Sequence, residues 1–410
     1  MRRVVEVAYL ASQATEEGRN LTFNACITPD DYSARTHPSS GSADWWEFMQ
    51  PRELSLNELR RVAPTVNSAT SAVWITWDGH ERLHIRGLIH FGPNVFRAAS
   101  VHSVDVGSLP FAFHLRVVQP GQLMAYEWNF LVAELRAGQI HEPSLLSSMD
   151  VLGIHGFINS ALDKLADSLQ RPEFEHPKEW SNYEFIAWLN ALFAVVNAIR
   201  HLGHGGALIV SALPPESLLS QGIVRAKYRL TDTPQPLREA VVNFLNARHK
   251  FGDALWFKED MTIEELREQS LPTEEELDRL LSEREAAVRA ALEALIERAL
   301  FVGGLCNVDG AVMLTDTFDV VGFGTEILAT MPQAVRAYHI TDPIRDDAIE
   351  CDVEEFGMRH RSAIKLCARV PELFMFVVSQ DGDVTLVWSD QNRVLLRRGV
   401  NTSNANMVMA

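Results

Sequence analysis

Hydrophobic and polar residues alternate in several runs within residues 1–145, which is the pattern of strands that have one buried face. β-branched and aromatic residues are frequent in these runs, which are 71–77, 82–91, 111–118 and 124–135. Before them, residues 53–64 have the spacing of a short helix that a proline ends. The pattern predicts a β-rich N-terminal domain at 1–145.

The spacing of apolar residues becomes helical after this domain. In 185–199 they recur every three or four positions and form one stripe along a helix. Glycines follow the helix, and the apolar run 207–210 predicts a short buried strand. Helix, glycine turn and apolar strand in this order are typical of an α/β domain.

The rest of the chain completes this domain plan. We predict a helical linker at 146–184, an α/β domain at 185–398 with a helical insertion at 212–300, and a flexible tail at 399–410. Further strands are predicted at 310–315, 373–379 and 384–388, and a helix is predicted to open within 357–366.

The composition excludes some classes of function. The 410 residues are 47% hydrophobic and 22% charged, which is typical of a folded globular protein. A net charge of −17 argues against binding to a nucleic-acid polymer, which needs a broad basic face. The four cysteines show no metal-binding spacing and fit a reducing compartment. Since there is neither a signal peptide nor an apolar run long enough to span a bilayer, we expect a cytoplasmic protein without membrane contact.

One basic cluster stands out in this acidic chain, in "GMRHRSAIKL" (357–366). Arg359 and Arg361 carry planar guanidinium groups that bind phosphate oxygens in pairs, and His360 lies between them. Gly357 allows a ligand to come close to the backbone. If a helix begins here, its free amide groups also favour an anion. The cluster is therefore a candidate polyphosphate site.

Two plainer interpretations stay open at this point. The arginines could be surface residues that pair with Glu354 and Glu355. Asp309, in "LCNVDGAVMLT", could hold Mg²⁺ against a phosphate or activate a hydroxyl, but an Asp-Gly pair before a strand is often only a turn.

The order of these motifs resembles the diadenylate cyclase domain, the catalytic domain of the DNA-integrity scanning proteins. The matching blocks are "GGALIV" (205–210), "VDGAVML" (308–314), "GMRHRSA" (357–363) and the serine-ended strand in "FVVSQDGDV" (376–384). The resemblance implies an α/β domain with a mixed central sheet flanked by helices. It also implies that two domains face each other, in a homodimer or higher oligomer, and condense two ATP molecules to cyclic di-AMP.

The resemblance assigns roles to particular residues. Asp309 would be catalytic and would bind Mg²⁺ or Mn²⁺ together with Asp381. The residues implied in nucleotide and phosphate binding are Gly310, Ala311, Gly357, Arg359, His360, Arg361, Ser362 and Ser379.

The chain departs from the family pattern in ways that bear on activity. Gln380 and Asp381 stand where the family has two glutamates, and Met358 replaces a threonine. The segments 11–23 and 71–91, together with "GHGGAL" before the strand at 207–210, resemble a divergent bacterial branch (DACNV-like) proposed to sense nucleotides in signalling or conflict systems. We therefore expect a sensor of ATP or a cyclic dinucleotide. The alternatives are an active diadenylate cyclase and an interaction protein with a relict pocket.

Overall fold

The computed structural model describes most of the chain. The described residues are 2–16, 18–30, 44–67, 70–77, 82–91, 113–127, 130–136, 138–141, 153–169, 181–201, 204–231, 235–260, 274–332, 335–342, 347–380, 382–400 and 402. The chain divides into two compact units, Met1–Leu145 and Leu146–Ala410. The predicted metal ligand Asp381 and most of the predicted tail 399–410 lie outside the described residues.

The first unit contains an eight-stranded mixed sheet and two described helices. Its helices are α1 (Arg2–Ser12) and α2 (Leu56–Val62). A small ribbon is formed by β1 (Thr15–Glu16) and β2 (Arg19–Asn20). The large sheet is formed by β3 (Phe23–Pro29), β4 (Asp44–Glu53), β5 (Ser71–Trp77), β6 (Leu83–His90), β7 (Phe113–Gln119), β8 (Gln122–Glu127), β9 (Phe130–Arg136) and β10 (Gln139–His141).

The larger core cluster of this unit lies on one face of the sheet, and a smaller one that includes Cys26 and Trp74 lies on the other face. The strand order is β10-β9-β8-β7-β3-β5-β6-β4, and the β3–β5 pair is parallel. Alternate residues of the strands, such as Phe23, Ile75 and Leu115, pack with Val7 of α1 and Leu59 of α2. The period-two pattern of the sequence thus becomes a sheet with helices on the face that buries these residues.

The second unit contains a nine-stranded mixed sheet and six described helices. The helices are α3 (His155–Leu165), α4 (Ser181–His201), α5 (Pro215–Ser220), α6 (Pro236–Asp260), α7 (Glu274–Gly304) and α8 (Met358–Arg369). The strands are β11 (Gly206–Ser211), β12 (Val224–Arg229), β13 (Ala311–Thr315), β14 (Val320–Ile327), β15 (Arg336–Asp342), β16 (Asp347–Cys351), β17 (Leu373–Val378), β18 (Val384–Asp390) and β19 (Arg393–Arg397).

Helices cover both faces of the centre of this sheet. The strand order is β12-β14-β13-β11-β17-β18-β19-β15-β16. All six residues of β11 and of β17 are buried, as expected for strands that are covered on both sides. On one face, Phe193 of α4 meets Phe376 with ring centroids 6.3 Å apart. On the other face, Ile364 of α8 belongs to a cluster with Ile209 and Met375.

The expected α/β class with mixed sheets is confirmed. The segment 212–300 is not purely helical, because β12 lies within it and pairs antiparallel with β14. The run 124–135 forms parts of two strands, β8 and β9, which pair antiparallel as a hairpin. The pattern missed β12 because five of its six residues are exposed or half-buried, as is usual for a strand at a sheet edge.

Candidate functional site

A cleft of about 880 Å³ opens in the second unit, over the strands at the β12 end of the sheet and beside the first turn of α8. Its described lining combines small, charged and apolar residues: Ala207, Arg225, Ala226, Lys227, Asp309, Gly310, Ala311, Gly324, Thr325, Glu326, Ile327, Leu328, Met358, Arg359 and Ser362. Five of the residues implied by the resemblance are among them, namely Asp309, Gly310, Ala311, Arg359 and Ser362.

The backbone of Gly310 fixes one wall of the cleft. Gly310 has φ +122°, and a Cβ placed on it would lie 2.5 Å from the carbonyl carbon of Gly324 and 2.7 Å from the amide nitrogen of Thr325. Only glycine fits this close approach to β14. The turn leaves the side chain of Asp309 exposed on the cleft wall.

A second glycine makes room for the guanidinium group of Arg359. Gly205 has φ +65°, and a Cβ there would lie 2.9 Å from Nη1 of Arg359 and 2.5 Å from the carbonyl oxygen of Val378. Nη1 of Arg359 donates a hydrogen bond of 3.3 Å to the carbonyl oxygen of His204. The loop before β11 therefore holds Arg359 at the β11 side of the cleft.

The N-terminus of α8 lies at the same place. Gly357 occupies the N-cap position and provides no side-chain acceptor for the first amide groups of the helix. Met358, Arg359 and Ser362 line the cleft, as expected for positions three and four apart on one helix face. A helix N-terminus beside an arginine favours an anionic group.

The other predicted phosphate ligands lie elsewhere. His360 Nε2 is 3.1 Å from Oγ1 of the buried Thr385, on β18. Arg361 Nη1 donates to Oε2 of Glu354 at 2.7 Å, so the surface-pair interpretation describes Arg361 and not Arg359. Gly357 and Ser379 are not among the residues that line the cleft. Ser379 lies close to the loop before β11, since its carbonyl carbon would be 3.0 Å from a Cβ on Gly205.

Sequence reasoning missed the cationic residues on β12. Arg225 and Lys227 both line the cleft, and Arg225 forms an ion pair with Glu326 of the neighbouring strand. Within the described part of the chain, no ion pair joins Lys227 or Arg359 to a carboxylate. The alternating charges of "VRAKYR" were the available signal, since alternate residues of an edge strand share one face.

The lining could hold a divalent ion only together with the phosphates of a ligand. In the described chain, no group of three or more histidine, cysteine or acidic side chains is arranged to hold a metal. Mg²⁺ is often held by one or two carboxylates together with substrate phosphates. Asp309 could serve in that way, whereas the carboxylate of Glu326 is already paired with Arg225.

A half-buried thiol lies close to this site. Burial raises the pKa of Cys306 to about 12, and the positive charge of Arg359 opposes that rise only weakly. Cys306 Sγ is 3.9 Å from the carbonyl oxygen of Ala207, one of the cleft residues. Its thiolate form is therefore scarce at neutral pH.

Comparisons with known proteins bear on the first unit only. A family described as "Probable sensor domain DACNV" matches residues 1–90. No curated protein and no solved structure matches the chain. Among the described helices, none is both long and apolar enough to cross a bilayer. The first ninety residues thus match a probable sensor domain, and the relation to diadenylate cyclases stays a prediction.

Proposed function

We propose that the cleft binds the phosphates of an adenine nucleotide and that the protein is a sensor of ATP or a cyclic dinucleotide. The observation that carries this proposal is that the Asp309–Ala311 turn and the first turn of α8 line one cleft. The sensor-domain match over residues 1–90 supports the sensing part of the proposal.

The charges of the lining support an anionic ligand. The lining contains three cationic residues, Arg225, Lys227 and Arg359, and two acidic ones, Asp309 and Glu326. One of the cations is neutralised by Glu326, which leaves Lys227 and Arg359 for a ligand. A locally positive cleft on a chain of charge −17 concentrates a small anion without attracting a polymer.

The test compares two arginines of the same helix. In Arg359→Ala, we expect the Kd for ATP, measured by calorimetric titration, to rise about 10- to 100-fold, because a hydrogen bond to a charged group contributes about 1.5–3 kcal/mol. Arg361→Ala removes the same charge two residues away, where the side chain contacts Glu354 instead of the cleft. We expect its Kd to stay within about twofold of the wild type. Equal weakening by both substitutions would indicate a general charge effect and would contradict the proposed site.

The position of Asp309 favours a second candidate function, an active diadenylate cyclase. The exposed Asp309 lines the same cleft as Arg359, so a carboxylate is available for a metal ion or a hydroxyl. Purified protein would be incubated with ATP and Mg²⁺ or Mn²⁺, and the products analysed by mass spectrometry. Cyclic di-AMP formed by the wild type but not by Asp309→Asn, with ATP affinity retained, would establish the enzyme. ATP that is bound but unchanged would establish the sensor.

The two candidates also differ in what they require of assembly. A cyclase needs two clefts that face each other in a homodimer or higher oligomer, whereas a sensor can bind one ATP per chain. The stoichiometry of the same titration, read together with the mass of the protein in solution, distinguishes these arrangements.

A further inference from the structure

Four small side chains form the floor of the cleft. Ala226 on β12 and Ala311 on β13 both pair with Thr325 on β14, which lies between them. Ala207 and Ala311 come directly before the paired residues Leu208 and Val312 of the parallel β11–β13 ladder. Lateral neighbours in a sheet point to the same face, so Ala226, Thr325, Ala311 and Ala207 make a continuous row across four strands. All four line the cleft.

Thr325 is the polar member of this row, and its hydroxyl group is unusual. Its side chain is 1% exposed, and its Oγ1 has no hydrogen-bond partner within the part of the chain that the structure describes. A buried polar group without a partner disfavours the folded state. The hydroxyl contributes nothing to internal hydrogen bonding here, although a valine would fill the same volume.

We propose that Thr325 is the specificity-determining residue of the cleft and that its hydroxyl binds a polar atom on the base or ribose of the nucleotide. This inference rests on the proposed nucleotide binding. Arg359 lies at the β11 side and holds the phosphates. The nucleoside then extends over the row of small side chains toward β12, which stands two strands beyond β13 and about 10 Å from it.

The small side chains of the floor leave room for the base and ribose of the nucleotide. The three alanines project no more than one methyl group each, so a flat ring can approach the sheet closely. Rotation of Thr325 about its Cα–Cβ bond exchanges the hydroxyl and methyl groups between staggered positions. The proposal requires such a rotation, because the side chain of Thr325 is 1% exposed in the structure.

The experiment uses the isosteric Thr325→Val substitution and two probes, ATP and inorganic tripolyphosphate. We expect the Kd for ATP to rise about three- to tenfold, the size of one neutral hydrogen bond, and the Kd for tripolyphosphate to stay unchanged. We also expect the melting temperature of Thr325→Val to equal or exceed that of the wild type, because no internal hydrogen bond is lost. Thr325→Ser retains the hydroxyl and should retain most of the ATP affinity.

Thr385→Val is the matched control. Thr385 is a fully buried threonine of the same sheet, and its Oγ1 lies 3.1 Å from Nε2 of His360. We expect this variant to lower the melting temperature without changing the ratio of the two affinities.

Each of the following outcomes would overturn the inference. An unchanged ATP affinity in Thr325→Val, or an equal loss for both probes, would show that Thr325 does not contact the nucleoside. A lowered melting temperature in Thr325→Val would show that the hydroxyl has an internal partner. If the wild type binds tripolyphosphate but not ATP, the phosphate site stands without a nucleoside site. If it binds neither probe, the proposed function fails as well.

Discussion

The substitution Gly310→Ala tests whether the turn beside the cleft has the geometry described here. The backbone of Gly310 has φ +122°, a value that costs an L-residue about 1–3 kcal/mol. The added Cβ would also lie 2.5 Å, 2.7 Å and 2.8 Å from three backbone atoms of Gly324 and Thr325. Since backbone atoms in a paired strand cannot rotate away, overpacking adds about 1–3 kcal/mol. The sum predicts a local loss of about 2–6 kcal/mol.

Hydrogen exchange followed by mass spectrometry measures this loss where it occurs. The chain has two compact units, and exchange is read peptide by peptide, so it assigns the loss to the strands beside Gly310. A loss of about 2 kcal/mol or more raises the exchange rate of amides that open with β13 and β14 by about thirtyfold. Gly304→Ala is the control, because Gly304 has φ −58° and a Cβ there meets nothing within 4 Å. Exchange in peptides covering 311–327 that differs less than threefold between Gly310→Ala and the wild type would refute the reasoning.

Two further predictions concern buried polar groups of the second unit. Both amide atoms of the buried Asn190 lack a hydrogen-bond partner among the described residues, so Asn190→Leu should leave chemical unfolding unchanged or stabilise the unit by about 1 kcal/mol. Asn197→Leu should destabilise it, because Asn197 donates to the carbonyl oxygen of Thr402 and accepts from its hydroxyl; equal effects would contradict the described contacts. Burial raises the pKa of Cys306 to about 12, so at pH 8 its thiolate is about a thousandfold scarcer than that of an ordinary cysteine. Iodoacetamide should accordingly modify Cys306 far more slowly in the native protein than in urea, and similar rates would show that the thiol is accessible.

The buried strands and long helices were predictable because the core imposes their pattern. The runs 71–77 and 207–210 coincide closely with β5 and β11, and 185–199 lies within α4. The two strands are short continuous apolar runs, as expected where both faces are buried, and the apolar residues of the helix recur every three or four positions. The edge strand β12 has no such pattern, since only Val224 of its six residues is buried.

The division between the two arginines shows what the sequence could have revealed about the site. Successive helical residues are rotated by about 100°, so Arg359 and Arg361 point about 200° apart once α8 is assumed. They could not both face one phosphate group from the middle of a helix. The prediction that Arg359, His360 and Arg361 act together did not take into account that neighbouring residues of a helix point in different directions. The partner of each residue, His204 for Arg359 and Glu354 for Arg361, depends on tertiary contacts that the sequence does not show.

The sensor-domain match and the cleft lie on different units of the chain, which limits how the protein could work as a sensor. The match covers residues 1–90, whereas every described residue of the cleft belongs to 146–410. A ligand shifts a conformational equilibrium only if it binds the two states with different affinity, so part of the cleft has to differ between them. The floor strands β11 and β13 are paired on both sides and buried, which makes them poor candidates for the part that differs between the two states.

The wall at β12 is different, because this strand ends the described sheet and pairs only with β14 there. It is also linked to β14 by the exposed Arg225–Glu326 ion pair. In the proposed arrangement the phosphates lie at Arg359 on the β11 side and the nucleoside end of the ligand reaches β12. A contact between the nucleoside and this edge strand is therefore the way in which binding could be reported.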